Sequence, residues 1–181
     1  MNTCNVLTGF FLVVSVVGQG AIALSRAGES SVRVLARGPA GLRIEGKSTE
    51  VSLAEEASAL LFKVPLAPID TGIGLRNRHL RQSLEVDKFP DATLRVKLAD
   101  LEFPKEDSPV ESQVTGELML HGHTRPVPVR YRAERRAGGL TRIAGSLQLD
   151  LRDFEIVPPS YLGVAVSRDV AVVVDLTVGS L

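Results

Sequence analysis

The stretch IDTGIGLRNRHLR, residues 69–81, gathers Arg76, Arg78, His79 and Arg81 shortly after Gly72 and Gly74. Side chains of this kind grip an anion, ligate a metal through imidazole, or coat a solvated helix face. A second cluster, His121-Gly122-His123, supplies the other two of the chain's 3 histidines. Neutral imidazoles suit zinc, and a catalytic zinc takes three protein ligands plus a water. An isolated His-x-His with a central glycine and no flanking acidic pair is a weak signal for that chemistry. His79, His121 and His123 are therefore only weak metal candidates, and no metal site is expected. TGIGLR lacks the third glycine of a dinucleotide fingerprint and the lysine of a phosphate loop, and no Gly-x-Ser-x-Gly or His-Glu-x-x-His occurs. Ser160 has no histidine nearby in the sequence to activate it. Asp150 and Asp153 sit in or beside an exposed strand face, where solvation is the expected role. A binding protein with no catalytic residue and no cofactor is the reading. A histidine-metal-binding barrel with hydrolase activity is the alternative.

The elements that must carry these residues repeat with a period of two. Leu60, Phe62, Val64 and Leu66 alternate with less apolar neighbours, as do Val127, Val129, Tyr131 and Ala133. Ile143, Gly145, Leu147, Leu149 and Leu151 share one face, and Val170, Val172, Val174, Leu176 and Val178 share another. Val32/Val34/Ala36, Leu42/Ile44 and Val114/Gly116/Leu118/Leu120 continue the pattern. Within 93–103 the phase slips at Ala99-Asp100, which predicts a bulge or bend. Each segment reads as a half-buried strand with one wet face. About eight such strands, joined by short turns such as ARGPAG and RAGG, predict an all-β antiparallel fold. Long strands with one apolar face close naturally into a barrel, with a two-sheet sandwich as the other architecture.

One segment departs from this period. Over about 72–84, Ile73, Leu80 and Leu84 fall on one stripe at 100° per residue, which predicts a short helix near one barrel mouth. Asn77 projects within the stripe and Arg76 beside it, whereas Arg78 faces water and His79 and Arg81 flank. An arginine beside a buried stripe requires an acceptor. A carboxylate such as Asp70, Glu85 or Asp87 meets that need, and so does the polar head of a ligand.

Composition narrows the function. Lys plus Arg equals Asp plus Glu at 21 each, which argues against a nucleic-acid surface. There is no Trp, and beyond the N-terminal region the aromatic residues are Phe62, Phe89, Phe103, Phe154, Tyr131 and Tyr161, too few for a stacking platform. The inward faces mix Leu and Val with Gly46, Gly116, Ala133 and Gly145. Small residues leave either room for a slender aliphatic chain or corners of a solid core. The candidate ligand contacts, in the interior and at the mouth, are Phe62, Val64, Ile73, Arg76, Asn77, Leu80, Leu118, Leu120, Val129, Tyr131, Leu147, Leu149 and Tyr161.

Residues 1–23 contain no Lys or Arg, and the apolar run 6–17 is too short to span a bilayer comfortably. Ala21-Ile22-Ala23 has the small-x-small form of a signal-peptidase site. Residues 1–23 are read as a cleaved secretory signal and 24–181 as one domain, periplasmic or secreted. Cys4, the only cysteine, precedes the apolar run, so the exported domain has no thiol.

Three stretches, FKVPLAPIDTGIGLRNRHLRQSLEVDKFPDATLRV, GELMLHGHTRPVPVRY and GSLQLDLRDFEIVPPSYLGVAVSRDVAVVVDL, resemble the YceI-like family. The resemblance implies an extended lipocalin-like antiparallel barrel, exported to the bacterial periplasm, that holds a long isoprenoid or other amphiphilic lipid in its interior. Homodimers occur among its members, and transient contact with a membrane or a membrane protein is a further implied partnership. The leader reading gives the first prediction. N-terminal sequencing of the exported protein should begin at Leu24; a membrane-bound product that retains residues 1–23 would contradict it.

Overall fold

The computed structural model describes residues 22–23, 28–38, 41–105, 108–158, 160–161 and 164–179. The expected leader therefore lies outside the described residues, apart from Ile22–Ala23. The strands are β1 (Ile22–Ala23), β2 (Ser31–Arg37), β3 (Arg43–Ser48), β4 (Ser52–Glu56), β5 (Ala59–Pro65), β6 (Asp91–Lys97), β7 (Val110–Leu120), β8 (His123–Arg136), β9 (Leu140–Asp150), β10 (Ser160–Tyr161), β11 (Val164–Ala165) and β12 (Asp169–Val178). The helix α1 (Gly74–Ser83) lies between β5 and β6. Ten strands form one curled antiparallel sheet in the order β1-β4-β5-β6-β7-β8-β9-β12-β2-β3, and β10 and β11 pair separately. A single curled sheet is the barrel-like architecture and not a two-sheet sandwich.

Every strand expected from the alternation is present, as β2, β3, β5 to β9 and β12. The alternation does not disclose β4, because Val51 and Leu53 keep the phase for only two apolar positions before Ala-Glu-Glu interrupts it. The phase slip after β6 is a 3-10 turn at Leu98–Asp100 and not a bulge, since β6 ends at Lys97 and Leu98 N–H donates to the Ser58 carbonyl at 3.0 Å.

The sheet curls without an unbroken ladder. β3 and β1 are its ends, and the side between them is spanned by the chain that leaves β5. There Asp70 forms an antiparallel bridge to Lys47 of β3, with two backbone hydrogen bonds of 2.8 Å each. The Ile69 side chain lies over Gly46, where an added β-carbon would approach Ile69 Cγ2 to 2.8 Å.

Two clusters of buried side chains line the concave face. One includes Leu66, Leu84, Leu118, Val129 and Phe154, and the other includes Val32, Leu53, Leu60, Ile143 and Leu176. Phe154 is placed by a 3-10 turn, Leu151–Phe154, that Asp150 caps by accepting from Arg152 N–H at 2.9 Å. The Arg152 guanidinium and that backbone N–H lower the Asp150 carboxyl to about 2.

Gly116 corrects an expectation. It was a place where small size would leave room, yet a β-carbon there would stand 2.7 Å from Leu94 Cδ1 and 3.2 Å from Val96 Cγ2. The glycine lets β6 side chains fold over β7, so the space is already filled. Gly116→Leu should destabilise the protein by about 1–3 kcal/mol through overpacking. Denaturant unfolding checks this, and an unchanged midpoint would show that the β6–β7 contact yields freely.

Candidate functional site

The concave face encloses a cavity of about 230 Å³. For scale, a dry apolar cavity of roughly 150 Å³ accommodates a benzene ring. Its wall draws on β2, β3, β5 to β9, β12, α1 and the segment 101–104. The residues that line it are apolar except for Thr71, Glu102, Ser146 and the Tyr131 hydroxyl, and among the described residues no Lys, Arg or His lines it.

Part of the space lies along β9 and β12. On β7 and β8 the inward side chains Leu118, Leu120 and Val129 are buried and close-packed. On β9 and β12 the inward Leu147, Leu149, Val172 and Val174 are only half-buried although they line the interior. Gly145 sits among them, and a β-carbon there would meet nothing nearer than the Arg130 carbonyl oxygen at 4.0 Å. Both glycines fall on inward positions, of β7 and β9, the strands on either side of β8. One is filled by its neighbours and the other opens on the cavity.

Of the expected contacts, Phe62, Val64, Leu80, Leu118, Leu120, Val129, Tyr131, Leu147 and Leu149 come together on this wall. Ile73 does not, because it stands at the helix N-cap with half its surface exposed. For Tyr161 only the strand pairing with Val164 is described, and its side chain lies outside the described residues. Wall residues the alternation does not reach include Thr71 and Glu102, which lie in irregular segments where neither period applies.

Arg76 and Asn77 are also off the wall, and their hydrogen bonds explain why. Asn77 Oδ1 accepts from Thr71 N–H at 2.8 Å and from the Thr71 hydroxyl at 2.5 Å. Asn77 Nδ2 donates to Asp70 Oδ1 at 2.6 Å, and Gly72 N–H donates to the same oxygen at 2.9 Å. Arg76 Nη2 donates to the Thr71 carbonyl at 2.5 Å, so its acceptor among the described residues is a main-chain oxygen and not one of the expected carboxylates. Arg76 Nε is buried with no acceptor among the described residues. These two side chains fasten the start of α1 to the segment that meets β3, and Leu80 and Leu84 reach the cavity from the same side of the helix, nearer its C-terminal end.

Tyr131 fastens the opposite region. Its hydroxyl accepts from Glu102 N–H at 2.7 Å and donates to the Glu102 carbonyl at 3.2 Å. Arg135 Nε donates to the Pro104 carbonyl at 3.0 Å, so β8 holds the segment 101–104 at two points.

The His121-Gly122-His123 motif forms the β7–β8 turn. His121 and Gly122 have φ of 51° and 77°, the two left-handed positions that a two-residue hairpin turn requires. A β-carbon on Gly122 would also meet the Phe89 ring at 2.9 Å. His121 Nδ1 is 3.0 Å from the Phe154 carbonyl oxygen, and its ring meets Phe89 edge-on. His123 stacks at 6.4 Å from His121, and its Nε2 lies 3.7 Å from Glu155. Among the described residues no group of three His, Cys, Asp or Glu side chains is placed to hold a metal, so His79 does not complete a ligand set with the other two.

The Asp70 carboxyl titrates below the ordinary aspartate range, held there by the Asn77 amide first and the Gly72 N–H second. A carboxyl depressed on folding contributes stability in full above its unfolded value and loses it as pH falls through the folded one. The fastening of α1 should therefore weaken in acid, below about pH 4. Asn77→Ala strips Thr71 N–H of its acceptor and should lower stability by about 1–3 kcal/mol at neutral pH. It should also flatten the acid-dependent part of the unfolding profile. Thermal unfolding across pH checks both, and an Asn77→Ala protein with the parent's stability and acid profile would contradict the role.

With this geometry in view, comparisons with known proteins place the chain. A family model described as YceI-like domain matches residues 27–178. No curated protein matches the chain. A polyisoprenoid binding domain from Saccharophagus degradans, implicated in plant cell wall breakdown, superposes with a TM-score of 0.72 at 16% identity, over 88% of this chain and 98% of that one. BcnA of Burkholderia cenocepacia superposes with a TM-score of 0.61 at 17% identity, over 82% of this chain and 95% of that one.

Proposed function

We propose, because this chain belongs to the YceI-like domain family and carries an open apolar cavity inside its sheet, that it is a non-catalytic binding protein for a long-chain amphiphile. The observation that carries the reading is the half-buried state of Leu147, Leu149, Val172 and Val174, which line the interior without filling it. Each methylene that such a ligand moves from water to this wall contributes roughly 0.8 kcal/mol. A branched or unsaturated chain suits a wall of Leu and Val, and the polyisoprenoid binding named for the Saccharophagus degradans domain supports an isoprenoid.

The leader read at 1–23 supports export to the periplasm, where an aliphatic chain in transit between membranes requires shielding from water. Carriage or storage of such a chain, as a homodimer and in transient contact with a membrane, completes the proposal.

Gly145 gives the direct test. Gly145→Leu places a side chain in the cavity where the backbone leaves room for it, so the variant should fold. It should lose about tenfold or more in affinity for an apolar fluorescent probe, a loss of about 1.4 kcal/mol per decade. Titration of the probe, with thermal unfolding as the control, makes the measurement. Full affinity in a folded variant would place the ligand elsewhere.

A further inference from the structure

We propose that Phe103 is the door of the cavity: the ligand's chain enters and leaves past this ring, and the ring sets the rate of exchange. The inference rests on the binding reading above and adds the route to it. Among the described residues Phe103 is the only large apolar side chain that both lines the cavity and is exposed, at 44% of its surface. Other exposed apolar side chains, among them Leu42, Leu75 and Met119, are off the wall. Wall residues in other connecting segments, such as Val51, Leu66, Ile69 and Leu84, are buried. The apolar wall therefore comes to the surface at this ring.

The frame around the ring is fixed. The Tyr131 hydroxyl holds Glu102 through its N–H and its carbonyl, and Arg135 Nε holds the Pro104 carbonyl. Pro104 is buried, and Leu101 packs against both buried clusters. Phe103 thus hangs between anchored neighbours, and the freedom left to it is rotation about its own side-chain torsions. Exposed side chains change rotamer far faster than strands separate. Entry between two strands would part a ladder and break several hydrogen bonds at once. Entry past Phe103 breaks none. A ring already half in water loses little packing when it swings aside, so its removal should act on rates far more than on affinity.

The test follows N-phenyl-1-naphthylamine, an apolar fluorophore, into and out of the whole protein by stopped-flow fluorescence, with thermal unfolding as the control for fold. Phe103→Ala should raise the association and dissociation rates together by about tenfold. Its Kd should stay within about threefold of the parent's. Leu75→Ala, exposed but off the wall, should change neither rate. Phe103→Cys, made with Cys4→Ser so that it is the only thiol, should take up the fluorophore about tenfold more slowly once labelled with a bulky maleimide. The same label on Ile73→Cys should leave uptake unchanged. Faster release without faster uptake in a folded Phe103→Ala protein would make the ring a piece of wall and overturn the door. Unhindered uptake by labelled Phe103→Cys, or equal slowing by the label at Ile73, would overturn it as well, with chain binding intact in each case. Failure of the parent to take up the fluorophore would instead overturn the binding reading, and the door with it.

Discussion

Thr71 is held at each of its polar groups: Asn77 takes its N–H and hydroxyl, and Arg76 donates to its carbonyl. This small knot fixes the start of α1 directly beside the bridge from Asp70 to Lys47. A sheet that curls without closing its ladder leaves an open side, and an unpaired edge invites other strands. Here the side is spanned by a loop and a helix that contribute few buried side chains of their own. The hydrogen bonds at Thr71 set where Ile69, Leu80 and Leu84 can stand, and those side chains complete the cavity wall. The interior is a chamber because this joint holds.

The chamber is then a matter of where packing stops. β6, β7 and β8 interlock, and the absence of a side chain at Gly116 draws Leu94 and Val96 inward. β9 and β12 carry equally apolar faces, but nothing descends onto Gly145, and Leu147, Leu149, Val172 and Val174 are left half-buried. Apolar surface left unburied inside a fold forgoes stabilisation of about 25 cal/mol per Å². A protein that retains such surface gains that energy on binding an apolar chain. Tyr131 joins the two halves of the design, with its ring on the wall and its hydroxyl on the main chain of the segment 101–104.

The strands were legible because one face is wet and the other is apolar, and that contrast writes itself as a period of two. β4 escaped since Val51 and Leu53 are too few to establish the period. The helix was legible from Leu80 and Leu84, but a projection treats every residue of a stripe alike, and Ile73 sits at the N-cap where the stripe no longer faces the sheet. The roles of Arg76 and Asn77 could not be read, because their partners lie five to seven residues upstream in a loop whose path depends on β3. His121-Gly122-His123, only a weak candidate for metal chemistry in the sequence, serves as geometry: its first two residues take the left-handed conformations of a tight turn. The size of a residue likewise did not reveal its surroundings, and Gly116 and Gly145 look identical until the strand across from each is known.

Native mass spectrometry of the purified protein tests the central claim most directly. The account predicts a species heavier than the bare chain by the mass of a single amphiphile, lost after extraction with organic solvent and restored when the extract is added back. A spectrum with only the bare chain, before and after incubation with isoprenoid and straight-chain amphiphiles, would contradict it.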